Sequence, residues 1–289
     1  MTPPPKNSLP VQQLLMPTYL VKIGQLLQAI SPRLAMRYAA ILFLTPFTYS
    51  LPKREKKMFD NALQHDIKLP KSKKNIVVYE YGDSAKKVLL VHGWSGTGTQ
   101  LASIAEELIK HGYSTVSFDA PAHGQARGSR SQMPYFIEAI HHLQKQFGPF
   151  EYAIGHSLGG MSLLRSIKEG LKLKKLVIIG TANSVTAITE DFIQNMQLKP
   201  QIAHLLKSHL DKEFGQDLDD YAGARSAKAV KIPTLVVHDK NDVDVHYSSG
   251  QEINDALAEG ELYLTKGLGH RKILGNQKTI EKIVSFLLA

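Results

Sequence analysis

From about residue 75 the chain alternates short apolar runs with longer stretches in which apolar residues recur every three or four positions. The runs at 76–81, 88–91, 115–118, 152–155, 176–179, 234–237 and 262–264 predict strands. The stretches at 99–111, 133–147, 158–170, 247–257 and 277–288 predict amphipathic helices between them. The runs are apolar throughout rather than alternating, as strands covered on both faces are. The pattern therefore predicts an α/β fold, a doubly wound and mostly parallel sheet.

Two segments break this rhythm. Residues 1–74 carry helical spacing at 19–30 and 33–44, with Ser31-Pro32 as a helix start between them, and predict a helical N-terminal extension packed on the core. Residues 183–230 separate two strands by far more than an ordinary connection. Within them, the stretch 200–215 opens on Pro200, ends on Gly215 and lines up Ile202, Leu205, Leu206, Leu210 and Phe214 on one face. This predicts a small helical lid inserted into a core formed by 75–182 and 231–289.

Composition narrows the chemistry. The 289 residues include no cysteine, which excludes disulfides, thiolate metal sites and a cysteine nucleophile. The net charge of +9 is uneven: residues 1–90 hold 14 Lys/Arg against 5 Asp/Glu, and the remainder is balanced. Lys53, Arg54, Lys56, Lys57, Lys68, Lys71, Lys73 and Lys74 form the basic blocks. A solvated linker is the first reading of such blocks, and weak peripheral contact with an anionic membrane surface is the second. No nucleic-acid motif accompanies them, so no nucleic-acid partner is expected. Pro3, Pro4 and Pro5 stand where a signal peptide has its basic region, and the uncharged runs at 7–21 and 38–52 are too short to span a bilayer. A cytoplasmic protein is expected.

The sequence Tyr-Ala-Ile-Gly-His-Ser-Leu-Gly-Gly, from Tyr152 to Gly160, holds a Gly-x-Ser-x-Gly pattern that chance alone produces in about one such chain in ten. Its context adds information. Ser157 falls between a predicted strand and a predicted helix, with Gly155, Gly159 and Gly160 giving steric room, as in a nucleophile elbow. A serine hydroxyl needs a histidine to take its proton, a carboxylate to orient that histidine and amides to receive the oxyanion. The Gly-rich turn His92-Gly93-Trp94-Ser95-Gly96 follows a strand, and the Trp94 and Leu158 amides are the expected oxyanion donors. No phosphate-loop pattern can be read there.

The acid and base should follow the serine in that order. Asp242 lies in the loop after the strand at 234–237, with Asp239 and Asp244 as alternates. His270 lies in the Gly-rich loop after the strand at 262–264. His156 should point away from the site, because neighbouring strand residues face opposite ways. His141-His142 has no metal-ligand spacing with an acidic partner, and no metal is expected.

Taken together, His92-Gly93-Trp94-Ser95-Gly96, Asp119-Ala-Pro-Ala-His-Gly124, Gly155-His-Ser-Leu-Gly159, Asp242-x-x-Val245 and Gly269-His270 resemble the α/β-hydrolase superfamily over residues 76–288. More narrowly, the chain is similar to bacterial serine hydrolases with a helical N-terminal extension and a small lid. Ala122 departs from the glycine usual in that family. The resemblance implies that Asp119–Gly124 shapes the pocket rim. It ranks a peptidase lower, since neither a Trp after the nucleophile nor a Gly-Gly-Pro oxyanion loop is present.

The expected activity is hydrolysis of carboxylic esters with small to medium acyl chains, through Ser157, His270 and Asp242 and without a cofactor. Pocket residues are expected at His92, Met161, Phe192, Met196 and Leu206. A thioesterase is the nearest alternative, and a binding or signalling protein of the same fold with slow turnover is the alternative from another class.

Overall fold

Eight strands form one sheet: β1 (Leu63–Lys68), β2 (Asn75–Tyr81), β3 (Lys87–Val91), β4 (Ser114–Asp119), β5 (Tyr152–His156), β6 (Lys175–Ile179), β7 (Thr234–Asp239) and β8 (Gly260–Thr265). Their order is β1-β2-β4-β3-β5-β6-β7-β8. The first two pairings are antiparallel and the remaining five parallel. This computed structural model describes Pro10 and residues 16–289. The Pro3–Pro5 stretch lies outside the described residues.

Among the described residues, twelve α-helices flank the strands: α1 (Thr18–Ile30), α2 (Pro32–Phe43), α3 (Lys53–Asn61), α4 (Ala102–Lys110), α5 (Met133–Gln146), α6 (Leu158–Lys168), α7 (Val185–Asn195), α8 (Gln201–Phe214), α9 (Gly223–Ala227), α10 (Ser248–Ala256), α11 (Gly269–Lys272) and α12 (Gln277–Leu288). The period-two geometry of a strand splits each apolar run between two cores. Leu89, Val91, Ala153, Leu176, Ile178 and Val236 pack with α5, α6 and α10. Val88, Leu90, Ile154, Val177, Leu235 and Val237 pack with α4 and α12 on the other face.

A third apolar cluster joins the N-terminal helices to the insertion. Ala35, Ala39 and Ala40 of α2 meet Phe192 and Ile193 of α7 and Ile202, Leu206 and Leu210 of α8. The small alanines let these helices approach closely, and Met133 and Met161 tie the cluster to α5 and α6. Thus the α8 face predicted from sequence is turned inward, apart from Leu205, which is 36% exposed.

The N-terminal segment departs from the sequence reading in two ways. It supplies β1, which runs antiparallel to β2 from Leu63↔Glu80 to Lys68↔Asn75. It also supplies α3 from a basic block that reads as a linker. Glu55 and Met58 of α3 are fully buried, while its lysines face solvent. Among the described residues, no helix is long and apolar enough to cross a membrane.

Candidate active site

Ser157 sits between β5 and α6 with φ 52° and ψ −118°, a strained backbone for a side chain with a Cβ. Crowding enforces the turn. A Cβ at Gly155 would lie 2.7 Å from the backbone of Gly159 and Gly160. One at Gly159 would collide with the carbonyl oxygens of Val91 and His92, and one at Gly160 with Thr181 Oγ1. The Ser157 amide donates to Ile179 O at 2.8 Å, which fixes the turn to β6. Leu158 opens α6, so its N–H has no partner within the helix.

The turn after β3 lies against this elbow. A Cβ at Gly93 would be 2.9 Å from both His156 Nδ1 and Ser157 Cβ, so the close approach depends on glycine. The turn is anchored on several sides. Gly93 N–H donates to Gln100 Oε1 at 3.0 Å and Gly98 N–H to Asp119 Oδ1 at 2.5 Å. Thr97 and Thr99 hydroxyls donate to Glu55 Oε2 at 2.7 and 3.0 Å, and Phe47 N–H donates to Ser95 Oγ at 2.9 Å. The N-terminal segment therefore helps to hold the turn that carries Trp94.

Asp242 and His270 meet at the ends of β7 and β8. His270 Nδ1–H donates to Asp242 Oδ2 at 2.7 Å. Asp242 Oδ1 accepts the Asp244 and Val245 amides, each at 2.9 Å. The carboxylate is nearly fully buried. Burial works against its charge, but hydrogen bonds from His238, His270 and the Val245 amide hold it well below the usual carboxylate range. Of the alternates, Asp239 is occupied elsewhere. Its carboxylate accepts from Thr265 Oγ1, Leu268 N–H and Asn241 N–H, stapling the two loops together. Asp244 lines the same cavity.

The sequence reading missed His238. It is buried, its Nε2 donates to Val245 O at 3.0 Å and lies 3.4 Å from Asp242 Oδ2. Its position four residues before Asp242, at a strand's end, is the only signal the sequence offers. His156 does face away from the cavity, donating through Nε2 to His270 O at 2.9 Å. That bond reinforces the loop that carries His270.

One cavity of about 800 Å³ brings Ser157, Leu158, Trp94, Asp242 and His270 together. Its wall is mostly apolar, with Phe43 and Phe47 from the N-terminal segment, Met161 from α6, and Ile188 and Phe214 from the insertion. Arg271 lies in the wall too. Four expected pocket residues do not line it. Phe192, Met196 and Leu206 belong to the cluster behind the wall, where the apolar faces of α7 and α8 meet α2. His92 is buried below the turn, donating through Nδ1 to Gly93 O and accepting from the Ala120 amide. Burial pushes His92 down to about 4 and leaves His123 and His156 well below the usual imidazole range.

Asp119 accepts from Tyr79 Oη and the Gly98 and Gln125 amides, a structural part, and no residue of Asp119–Gly124 is among those lining the cavity. Ala122, in place of the usual glycine, adopts φ 63°. Among the described residues, one group of side chains has ligand atoms close enough for a metal: Asp242, Asp244 and His270, within 4.8 Å of one another. A cation there would displace the His270–Asp242 proton.

A sequence profile described as alpha/beta hydrolase family matches residues 88–239, just over half of the chain. The chain is an α/β-hydrolase. A second profile, described as TAP-like protein, matches residues 219–289 of this α/β-hydrolase. No curated protein matches its sequence. Its fold is similar to that of a bromoperoxidase from Bacillus anthracis, at 19% identity and a TM-score of 0.62, over 78% of this chain and 100% of that one. An esterase from Exiguobacterium antarcticum gives 17% identity and 0.63, over 78% and 100%. An esterase from Pyrococcus furiosus gives 16% and 0.65, over 85% of this α/β-hydrolase and 97% of the other.

Proposed function

We propose that the protein is a serine hydrolase that cleaves carboxylic esters of small to medium acyl chains through an acyl-enzyme. The observation that carries this reading is the hydrogen-bonded His270–Asp242 pair, opening into the same cavity as a serine on a strained strand-to-helix turn. In this reading Ser157 Oγ attacks the ester carbonyl and His270 takes its proton through Nε2. Asp242 holds the Nδ1–H tautomer and stabilises the imidazolium. The Trp94 and Leu158 amides receive the oxyanion, a contribution of about 3–4 kcal/mol for a well-placed donor. The intermediate collapses, the alcohol leaves with the proton from His270, and water repeats the sequence on the acyl-enzyme.

The apolar wall supports an acyl group of modest size, and Met161, expected to contact it, lies in that wall. The insertion covers one side of the cavity through Val185, Ile188, Leu210 and Phe214, consistent with a lid. A fluorophosphonate probe tests the reaction: intact mass should rise by one adduct, and Ser157→Ala should abolish the rise. A folded wild-type protein that stays unlabelled overturns the reading. A panel of esters and thioesters of graded acyl length then places the substrate.

A further inference from the structure

The N-terminal helices show an apolar side that nothing in the described fold covers. On α1, Tyr19, Ile23, Leu26 and Ile30 are 62%, 41%, 63% and 67% exposed. Their spacing of four, three and four residues puts them on one face of the helix. Leu34 and Ile41, seven residues apart on α2, are exposed as well. The other side of α1 is packed, with Gly24 close to Met196, Leu198 and Tyr38. Single exposed apolar residues are ordinary, but six on two consecutive short helices make a patch.

Charge decides what fits this patch. Residues 1–54 hold six Lys/Arg and not one Asp/Glu. Lys22 lies beside the α1 stripe, and Arg33 and Arg37 are interleaved with Leu34 and Ile41. Next to Ile41, a cleft of about 240 Å³ is lined by Arg37 and Arg130, with His209 and Glu213. A second copy of the chain would set this positive surface against itself, which like-charge repulsion opposes. A surface that is both apolar below and negative above is the interface of an anionic bilayer.

We propose that α1 and α2 dock the protein on anionic lipid bilayers, with the α1 stripe in the interfacial plane and the cations among the head groups. At 13 residues α1 is about 20 Å long, too short to span, so the docking is peripheral. The segment following α1 ends in the cavity wall at Phe43, Leu44 and Phe47, so docking brings the cavity close to the bilayer. The proposal stands apart from the chemistry assigned to Ser157.

Flotation of the full chain with phosphatidylcholine vesicles, with and without about one-third phosphatidylglycerol, tests it. The expected result is at least about tenfold tighter binding to the anionic vesicles at low salt, lost at about 0.5 M NaCl. Leu26→Glu with Ile30→Glu should weaken binding about tenfold while the thermal midpoint stays unchanged, because both side chains are exposed. Ser157→Ala should bind like the wild type. Absence of binding to anionic vesicles at low salt overturns the proposal, as does equal binding by the double variant. So does a dimer that the double variant disperses while vesicles remain unbound.

Discussion

His238 and Asp242 are both buried, with the imidazole Nε2 3.4 Å from the carboxylate oxygen that also receives His270. Asp242 thus has a donor on either side, and His238 is fixed in place by Val245 O. In the proposed reaction His238 is a positioning residue. His238→Phe removes the donor and should lower kcat about tenfold, near 1.4 kcal/mol, with KM little changed. His238→Gln keeps a donor and should recover part of the loss. Steady-state kinetics on both variants distinguishes this from general disruption, which would move both parameters in both proteins.

A second dependence reaches across 42 residues of chain from Glu55 to Thr97. Glu55→Ala removes the shared acceptor of two buried hydroxyls, which lie 3.2 Å apart and can then satisfy only one donor between them, at a cost of about 1–3 kcal/mol. Urea denaturation should show that loss. The Trp94 turn should loosen with it, so kcat should fall more than KM rises. Glu55→Gln keeps an acceptor oxygen and should sit between the two.

Buried histidines set an acid limit on stability. His92, His123 and His156 all have depressed values in the fold, so the unfolded chain binds protons that the folded chain refuses. Below the unfolded value of 6.5 each should therefore cost stability as pH falls, approaching about 1.4 kcal/mol per pH unit. The effect for His92 levels off near pH 4, where the folded form also protonates. Urea midpoints measured from pH 7.5 to 5 should decline, and His123→Phe should flatten the decline. A stability profile flat across that range contradicts the assignment.

Gly160 and Thr181 form a steric pair behind the Ser157 turn. Gly160→Ala should destabilise the protein by about 1–3 kcal/mol, since the new methyl meets Thr181 Oγ1. Among the described residues that buried hydroxyl has no hydrogen-bond partner, so Thr181→Ala gives up little. The double variant should recover most of the loss, and a thermodynamic cycle measures the coupling. Additive losses would show that the strain lies elsewhere.

The parts legible in the sequence are those whose signal is local. The five central strands β3–β7 stand out because double-sided burial makes each run apolar nearly throughout, and α8 because Pro200 and Gly215 bound one apolar face. The strand β1 is silent for the opposite reason. Leu63-Gln-His-Asp-Ile-Lys lies at the sheet edge with half its residues exposed or more, and it pairs on one side only. The block around Lys53 reads as solvated because its lysines are; Glu55 turns inward only because Thr97 and Thr99 await it.

The same division holds in the site. Ser157, Asp242 and His270 each follow a strand end in a recognisable turn, so their meeting in one cavity is readable from order alone. Phe192, Met196 and Leu206 were expected in that cavity because an apolar helix face reads alike whether it meets a ligand or another helix. Here α2 takes the place of the ligand. His238 and Glu55 act through partners that the sequence does not rank above any others.

The cavity wall comes from two pieces of chain that precede or interrupt the sheet, packed on each other through alanines and leucines. The groups that surround Ser157 come from turns at strand ends, which the sheet sets in place; Phe47 and Glu55 help to hold the turn at Trp94. In the proposed reaction, selecting a molecule and reacting with it thus fall to separate parts of the polypeptide. Helices α1 and α2 and the insertion can change in shape while Ser157, His270 and Asp242 keep their spacing, so on the proposed reading a new preference can arise here without a new chemistry.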